Sequence, residues 1–203
     1  MTDLSFRTLV WLTYRLGVTF GLTIPLILLI WATIKKEFSI IRLLSIYLKV
    51  SSLILISILL LTGNRSIGYL TSFISPVLIL ISIWFWTDLN DEIRALSNRK
   101  ALAFSIKLWR CVISIYSLLY LTLTFQSLSC IKTLNGNLCL AWQEGPQNLH
   151  ILIKSLFNFL FGASWTEPIA GFIGYILLIA YAIGILQIIA IRLPKQGRIA
   201  GDF

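Results

Sequence analysis

Five long apolar runs, at residues 16–34, 43–62, 66–87, 111–131 and 169–191, set the pattern of the chain. Each is continuous, without the period-two alternation of a membrane barrel strand. Roughly 20 apolar residues wound as a helix match the thickness of bilayer hydrocarbon, and a helix satisfies its backbone polar groups internally. The pattern predicts an all-α helical integral membrane bundle, a single transmembrane domain over residues 1–203 with five spans. Gly63-Asn64-Arg65-Ser66 leaves room only for a tight turn, so spans two and three should form an antiparallel hairpin. The longest connection, residues 132–168, carries polar turns at Asn135-Gly136-Asn137 and around Gly145-Pro146. Its apolar piece, residues 150–165, is short for a span and holds Lys154, Asn158 and Gly162. An interfacial or re-entrant helix is expected there.

Composition sharpens this picture. The 203 residues are 58% hydrophobic and 12% charged, whereas soluble domains carry about 25% charged residues. The first run is too long for a signal h-region and no small-x-small cleavage site follows it, so it reads as a retained span. The net charge is 17 − 8 = +9. No basic run is dense enough for a nucleic-acid arm; the basic residues stand at the ends of apolar runs, where they meet anionic lipid head groups. With five spans, one side holds Arg7, Arg15, Arg65, Lys132 and Lys154, five basic residues. The other holds Lys35, Lys36, Arg42, Lys49, Arg94, Arg99, Lys100, Lys107, Arg110, Arg192, Lys195 and Arg198, twelve. A sixth span at 150–165 would make the balance nine against eight, which orients nothing. Twelve against five predicts the N-terminus outside and the C-terminus cytoplasmic. The seven tryptophans fall at run ends or in the long loop, as an aromatic belt would.

Candidate chemistry is sparse. Cys130 and Cys139 share the outer side, where oxidation is permitted, and a disulfide would pin the loop between them; Cys111 stands alone. His150 is the single histidine; an imidazole in apolar surroundings can ligate a pigment, and otherwise serves as a hydrogen-bonded cap. Asp88, Asp91 and Glu92 form an acidic cluster of the kind that holds magnesium diphosphate. A second, facing cluster is missing and Arg94 follows at once, so a helix start after span three is the better reading. Gly17 and Gly21, Ala170 and Gly174, and Ala180 and Gly184 stand four apart, giving smooth faces for close helix packing. Pro25 should kink span one, and Pro76 sits within span three. Lys49 lies inside span two and should snorkel to the basic end. Ser51, Ser57, Ser75, Ser82 and Ser117 put hydroxyls, not carboxylates, inside the spans, so the usual proton relay or ion-coupled pump has no intramembrane acid. No metal motif and no HExxH or Ser-His arrangement is present.

The opening Met1-Thr2-Asp3-Leu4-Ser5-Phe6-Arg7-Thr8-Leu9-Val10-Trp11, the run from Ile24 to Ala32, and Ile83-Trp84-Phe85-Trp86-Thr87-Asp88-Leu89-Asn90-Asp91-Glu92-Ile93 together resemble a cyanobacterial family of small multi-span membrane proteins. The resemblance covers the first half of the chain and extends more loosely beyond it. It implies a thylakoid or plasma membrane and carries no catalytic residues onto named positions. The expected role is a non-catalytic accessory or assembly subunit of a photosynthetic or respiratory complex. Its partners would be other integral membrane subunits and lipids, with chlorophyll or lipid as conceivable bound groups. A transporter component using Lys49 and the hydroxyls, or a lipid enzyme using the acidic cluster, are the alternatives.

Overall fold

The computed structural model describes residues 2–96, 101–132, 137–162, 164–192 and 194. Eight α-helices account for most of them: α1 (Thr2–Val18), α2 (Ile24–Lys35), α3 (Phe38–Thr62), α4 (Ile67–Trp84), α5 (Thr87–Ala95), α6 (Ala101–Ser127), α7 (Asn137–Phe161) and α8 (Glu167–Gln187). Short π-helical stretches link α1 to α2 (Thr19–Thr23) and extend α8 (Ile188–Arg192), and a 3₁₀ turn (Leu128–Ile131) ends α6. Among the described residues there is no strand. Among the described residues, five stretches are long and apolar enough to cross a bilayer: Phe6–Lys35, Phe38–Thr62, Ile67–Trp84, Ala101–Ile131 and Glu167–Ala190. These are the five predicted spans.

The helices run beyond the apolar runs. The first helix starts at Thr2 and the fourth span's helix at Ala101, well before 16 and 111. The cause is that the charges near these ends find partners along the helices. Arg7 pairs with Glu144 at 2.9 Å, Arg15 stacks 3.4 Å over the Trp11 ring, and Lys107 donates to the Leu96 carbonyl at 2.9 Å. The predicted Asn135-Gly136 turn and the basic residues Arg99, Lys100, Lys195 and Arg198 lie outside the described residues.

The chain forms two compact units, and the long helices contribute segments to both. One comprises Met1–Arg15, Leu53–Ile74 and Leu121–Ala182. Its core holds Leu60, Leu61, Tyr69, Cys130, Trp142 and Ala170, none more than 1% exposed. Here the α3–α4 turn is closed by a Schellman arrangement: the Arg65 amide donates to Leu60 O at 2.9 Å and the Asn64 amide to Leu61 O at 3.1 Å. Asn64 takes the left-handed conformation this requires, with φ 53°. Gly63, beside it, lies against the start of α8: a Cβ on Gly63 would come within 2.6 Å of the Gly171 Cα. Backbone cannot move aside as a side chain can. Gly63→Ala is therefore expected to lower stability by about 1–2 kcal/mol, read as the unfolding midpoint in mild detergent; an unchanged midpoint would refute the close packing.

The second unit comprises Leu16–Ser52, Ser75–Tyr120 and Ile183–Phe203. Ile40, Leu43, Leu44, Tyr47, Ile83, Leu89, Ile93, Ile106 and Ile113 make its core. α2 also ends in a Schellman turn, with Lys36 left-handed at φ 55° and the Glu37 amide donating to Ala32 O. α5 packs through Leu89 and Ile93 while its other face carries the acidic residues, which makes it a short amphipathic helix following span three. Large apolar side chains such as Ile30, Ile34, Leu119, Phe125 and Ile179 stay open in numbers no soluble monomer shows. They are what a lipid-facing surface requires.

Candidate functional site

Prolines inside helices remove one amide and leave the carbonyl four residues earlier without its donor. Two such carbonyls are capped here by the same device. In span one, Pro25 leaves Gly21 O without a helix partner, and the Tyr47 hydroxyl of α3 donates to it at 2.7 Å. In α7, Pro146 leaves Trp142 O without one, and the Tyr14 hydroxyl of α1 donates to it at 3.0 Å. The π stretch adds a third case. The Ile24 amide reaches back to Thr19 O, so Phe20 O has no helix donor. The Trp109 indole N–H of α6 supplies one at 3.0 Å. Tyr47 and Trp109 meet edge to face, ring centroids 4.8 Å apart. Gly145, next to Pro146, gives Tyr14 its room: a Cβ there would lie 2.4 Å from the ring.

This geometry corrects two expectations. The turn around Gly145-Pro146 does not form, because α7 runs unbroken from Asn137 to Phe161. Tyr14 donates to Trp142 O, the carbonyl that Pro146 leaves without a helix donor. Trp109 is not a belt residue: it is 3% exposed, within the fourth span, and caps span one.

A second polar cluster surrounds Arg110 of α6, which is 5% exposed. Its guanidinium donates to Ile83 O at 3.0 Å and to the Asn90 side-chain oxygen, and lies 4.4 Å over the Trp84 ring. Asn90 in turn donates to Trp84 O at 2.9 Å. The cluster fastens the end of α4 and the start of α5 onto α6. Glu92, further along α5, forms an ion pair with Arg42 of α3 at 2.9 Å. A hydrogen bond from Ser39, with help from Arg42, holds the Glu92 carboxyl below its ordinary pKa, against the opposing effect of burial. A depressed carboxylate pKa contributes stability above the ordinary glutamate value and loses it as pH falls through the lowered one. α5 is expected to loosen in acid, read as amide exchange in Thr87–Ala95. Glu92→Gln should remove the acid-dependent part, and an unchanged profile would refute it. The group is largely exposed, so the effect is small.

The sequence-predicted residues fall as follows. Cys130 and Cys139 are joined by a disulfide. The Tyr69 hydroxyl donates to Cys139 O at 3.1 Å and accepts from the Gln143 amide at 3.0 Å, which ties α4 to the start of α7. Cys111 is exposed and free. His150 is 9% exposed on α7, its Nδ1 without a hydrogen-bond partner. Among the described residues no three of His, Cys, Asp and Glu gather as metal ligands. Gly17 lies against the Tyr116 hydroxyl, 2.6 Å from where its Cβ would be, and Gly21 is the capped residue. Ala170 is buried and Gly174 packs on Leu60. Ala180 is exposed, and nothing lies within 4 Å of a Cβ on Gly184. Lys49 is exposed. The Ser51, Ser57 and Ser82 hydroxyls donate to carbonyls of their own helices. Sequence reasoning missed Tyr14, Tyr47, Trp109 and Arg110. The i−4 carbonyls of Pro25 and Pro146 were the available signal: each demands a donor, though nothing in the sequence says which.

Five spans, interrupted helices repaired by side chains of neighbouring helices, and polar groups turned inward define a multi-span helical membrane protein. Residues 7–201 match the family described as "Protein of unknown function (DUF3177)", and the chain belongs to that family. No curated protein and no solved structure matches it.

Proposed function

We propose that the protein is a non-catalytic accessory or assembly subunit of a larger membrane protein complex, docking sideways through the later part of α8. The observation that carries this reading is the contrast along α8. Ala170 and Gly174 are spent on packing within the chain, while Ala180 and Gly184 stand open on a span whose most apolar stretch is only 17% buried; the corresponding figure for α3 is 56%. A smooth face lets another membrane helix approach closely. The resemblance extends the proposal to a photosynthetic or respiratory complex of a cyanobacterial thylakoid or plasma membrane. The charge asymmetry extends it to an N-terminus outside and a cytoplasmic C-terminus.

The transporter reading draws less support. Broken helices in transporters offer their unwound carbonyls to ions, but here Phe20 O and Gly21 O are already occupied by Trp109 and Tyr47. Lys49 is on the outside of its unit and most of the serines bond their own helices.

The test is a tagged pull-down from native membranes in mild detergent, resolved on a native gel with absorption spectra. Co-migration with a large stoichiometric complex is expected, lost in Gly184→Leu while that variant still inserts and melts normally. Gly174→Leu should instead lower the melting point, since Leu60 lies 3.0 Å from its Cβ position. Migration alone as a small colourless species, or undiminished association of Gly184→Leu, would overturn the proposal.

A further inference from the structure

The unit formed by Leu16–Ser52, Ser75–Tyr120 and Ile183–Phe203 contains a cavity of about 220 Å³, between α3, the end of α4 and the end of α8. Its floor is Ile46, Ser82 and Trp86, at most 7% exposed. Its rim is Ile81 and Ile189, about half exposed. Ser82 brings the one hydroxyl among the lining residues, and it is already engaged with Ile79 O at 2.8 Å. The cavity thus has almost nothing to offer water or a polar ligand, and a water needs two to four polar partners to stay. Left empty, its walls would forgo the dispersion contacts of close packing. All its walls belong to membrane-spanning stretches or lie within two residues of one, so the medium at the rim is hydrocarbon.

What enters is further selected by charge. The walls lead towards the more basic end of the spans. On α3, Arg42, paired with Glu92, stands one turn before Ile46; along the sequence Arg192 follows Ile188 by four residues. The side of the chain on which these residues fall carries twelve basic residues and five acidic ones, Glu37, Asp88, Asp91, Glu92 and Asp202. Basic residues within a Debye length of a head group attract anionic lipid. A π turn, Ile188–Arg192, forms part of the wall, a distortion often found at functional sites.

We infer that this cavity is a binding site for one acyl chain of an anionic phospholipid, its head group held at the basic end. The inference does not rest on the docking proposal, since it concerns a different ligand held in a cavity between helices of one unit.

Trp86 provides the reporter. At 7% exposure on the cavity floor, it is screened from the surrounding lipid and reachable through the cavity. The full chain is reconstituted into bilayers of zwitterionic lipid with a fixed fraction of phosphatidylglycerol, and either lipid is brominated at mid-chain to quench tryptophan. Emission of wild type minus that of Trp86→Phe isolates the Trp86 contribution. Brominated phosphatidylglycerol is expected to quench that contribution more strongly than the brominated zwitterionic lipid at equal mole fraction. Filling the cavity by Ser82→Leu or Ile185→Phe, two variants in different walls, should abolish the quenching. Trp86 emission untouched by either lipid would overturn the site. Equal quenching by both would overturn the anionic selectivity. Quenching that persists in a folded, cavity-filled variant would place the lipid elsewhere.

Discussion

Replacing Cys130 and Cys139 together by serine is expected to lower the stability of the unit comprising Met1–Arg15, Leu53–Ile74 and Leu121–Ala182 by about 2.5 kcal/mol. The value follows from the separation of 9 residues through the loop-closure entropy that the crosslink removes from the unfolded chain. The consequence reaches beyond the loop between the cysteines. Cys139 opens α7, and its carbonyl receives the Tyr69 hydroxyl; a freed α7 start would pull on Tyr69 and, through it, on Gln143. The melting point of wild type should fall on adding reductant, that of the double-serine variant should start low and stay there, and Cys111→Ser should behave as wild type. The chain has three cysteines, so thiol titration before reduction should find one. Three free thiols in protein taken from its native membrane would refute the crosslink.

How far the sequence could be read follows from the range of the forces involved. Span number was legible because hydrocarbon thickness sets it, and no distant residue is needed to recognise about 20 apolar positions. Helix ends were not legible where a charge is satisfied from elsewhere. Arg7 and Lys107 look like boundary markers until Glu144 and the Leu96 carbonyl are seen beside them. The small-residue faces were legible as faces but not as destinations: Gly174 and Gly184 have the same spacing logic, yet one meets Leu60 and the other nothing within 4 Å. Proline gave half of each interruption. Pro25 announced a disturbance in span one, but the residue that repairs it, Tyr47, lies in another helix and has no local signature. The reading of Gly145-Pro146 as a turn failed for the same reason, since Tyr14 is 128 residues from Trp142.

The two tyrosine–proline pairs carry the last expected result. Hydrogen bonds between membrane helices are usually worth little, about 0.6 kcal/mol and at most about 1.7, because the separated helices find other partners for the same groups. Gly21 O and Trp142 O have no such alternative. In each the native helix donor would be the amide of a proline, which does not exist. Tyr47→Phe and Tyr14→Phe should therefore each cost about 1.5 kcal/mol, the upper end of that range. Tyr47→Phe combined with Trp109→Phe, which also strips Phe20 O, should cost more than Tyr47→Phe alone, and because the two rings touch the single costs are not expected to add. The decisive comparison is with the proline restored to an amide. In a Pro25→Ala background the helix can supply Gly21 O itself, and Tyr47→Phe should become nearly neutral. Pro146→Ala should do the same for Tyr14→Phe. Crossed pairs, Pro25→Ala with Tyr14→Phe and Pro146→Ala with Tyr47→Phe, should simply add. The tyrosine–proline cycles, read as unfolding free energies in detergent or bilayer, separate capping from ring packing, since phenylalanine keeps the ring in each tyrosine variant. If Tyr47→Phe costs the same in wild type as in the Pro25→Ala background, its hydroxyl is not repairing the proline, and the π turn at Thr19–Thr23 must be held by the packing of Trp109 and Gly17 instead.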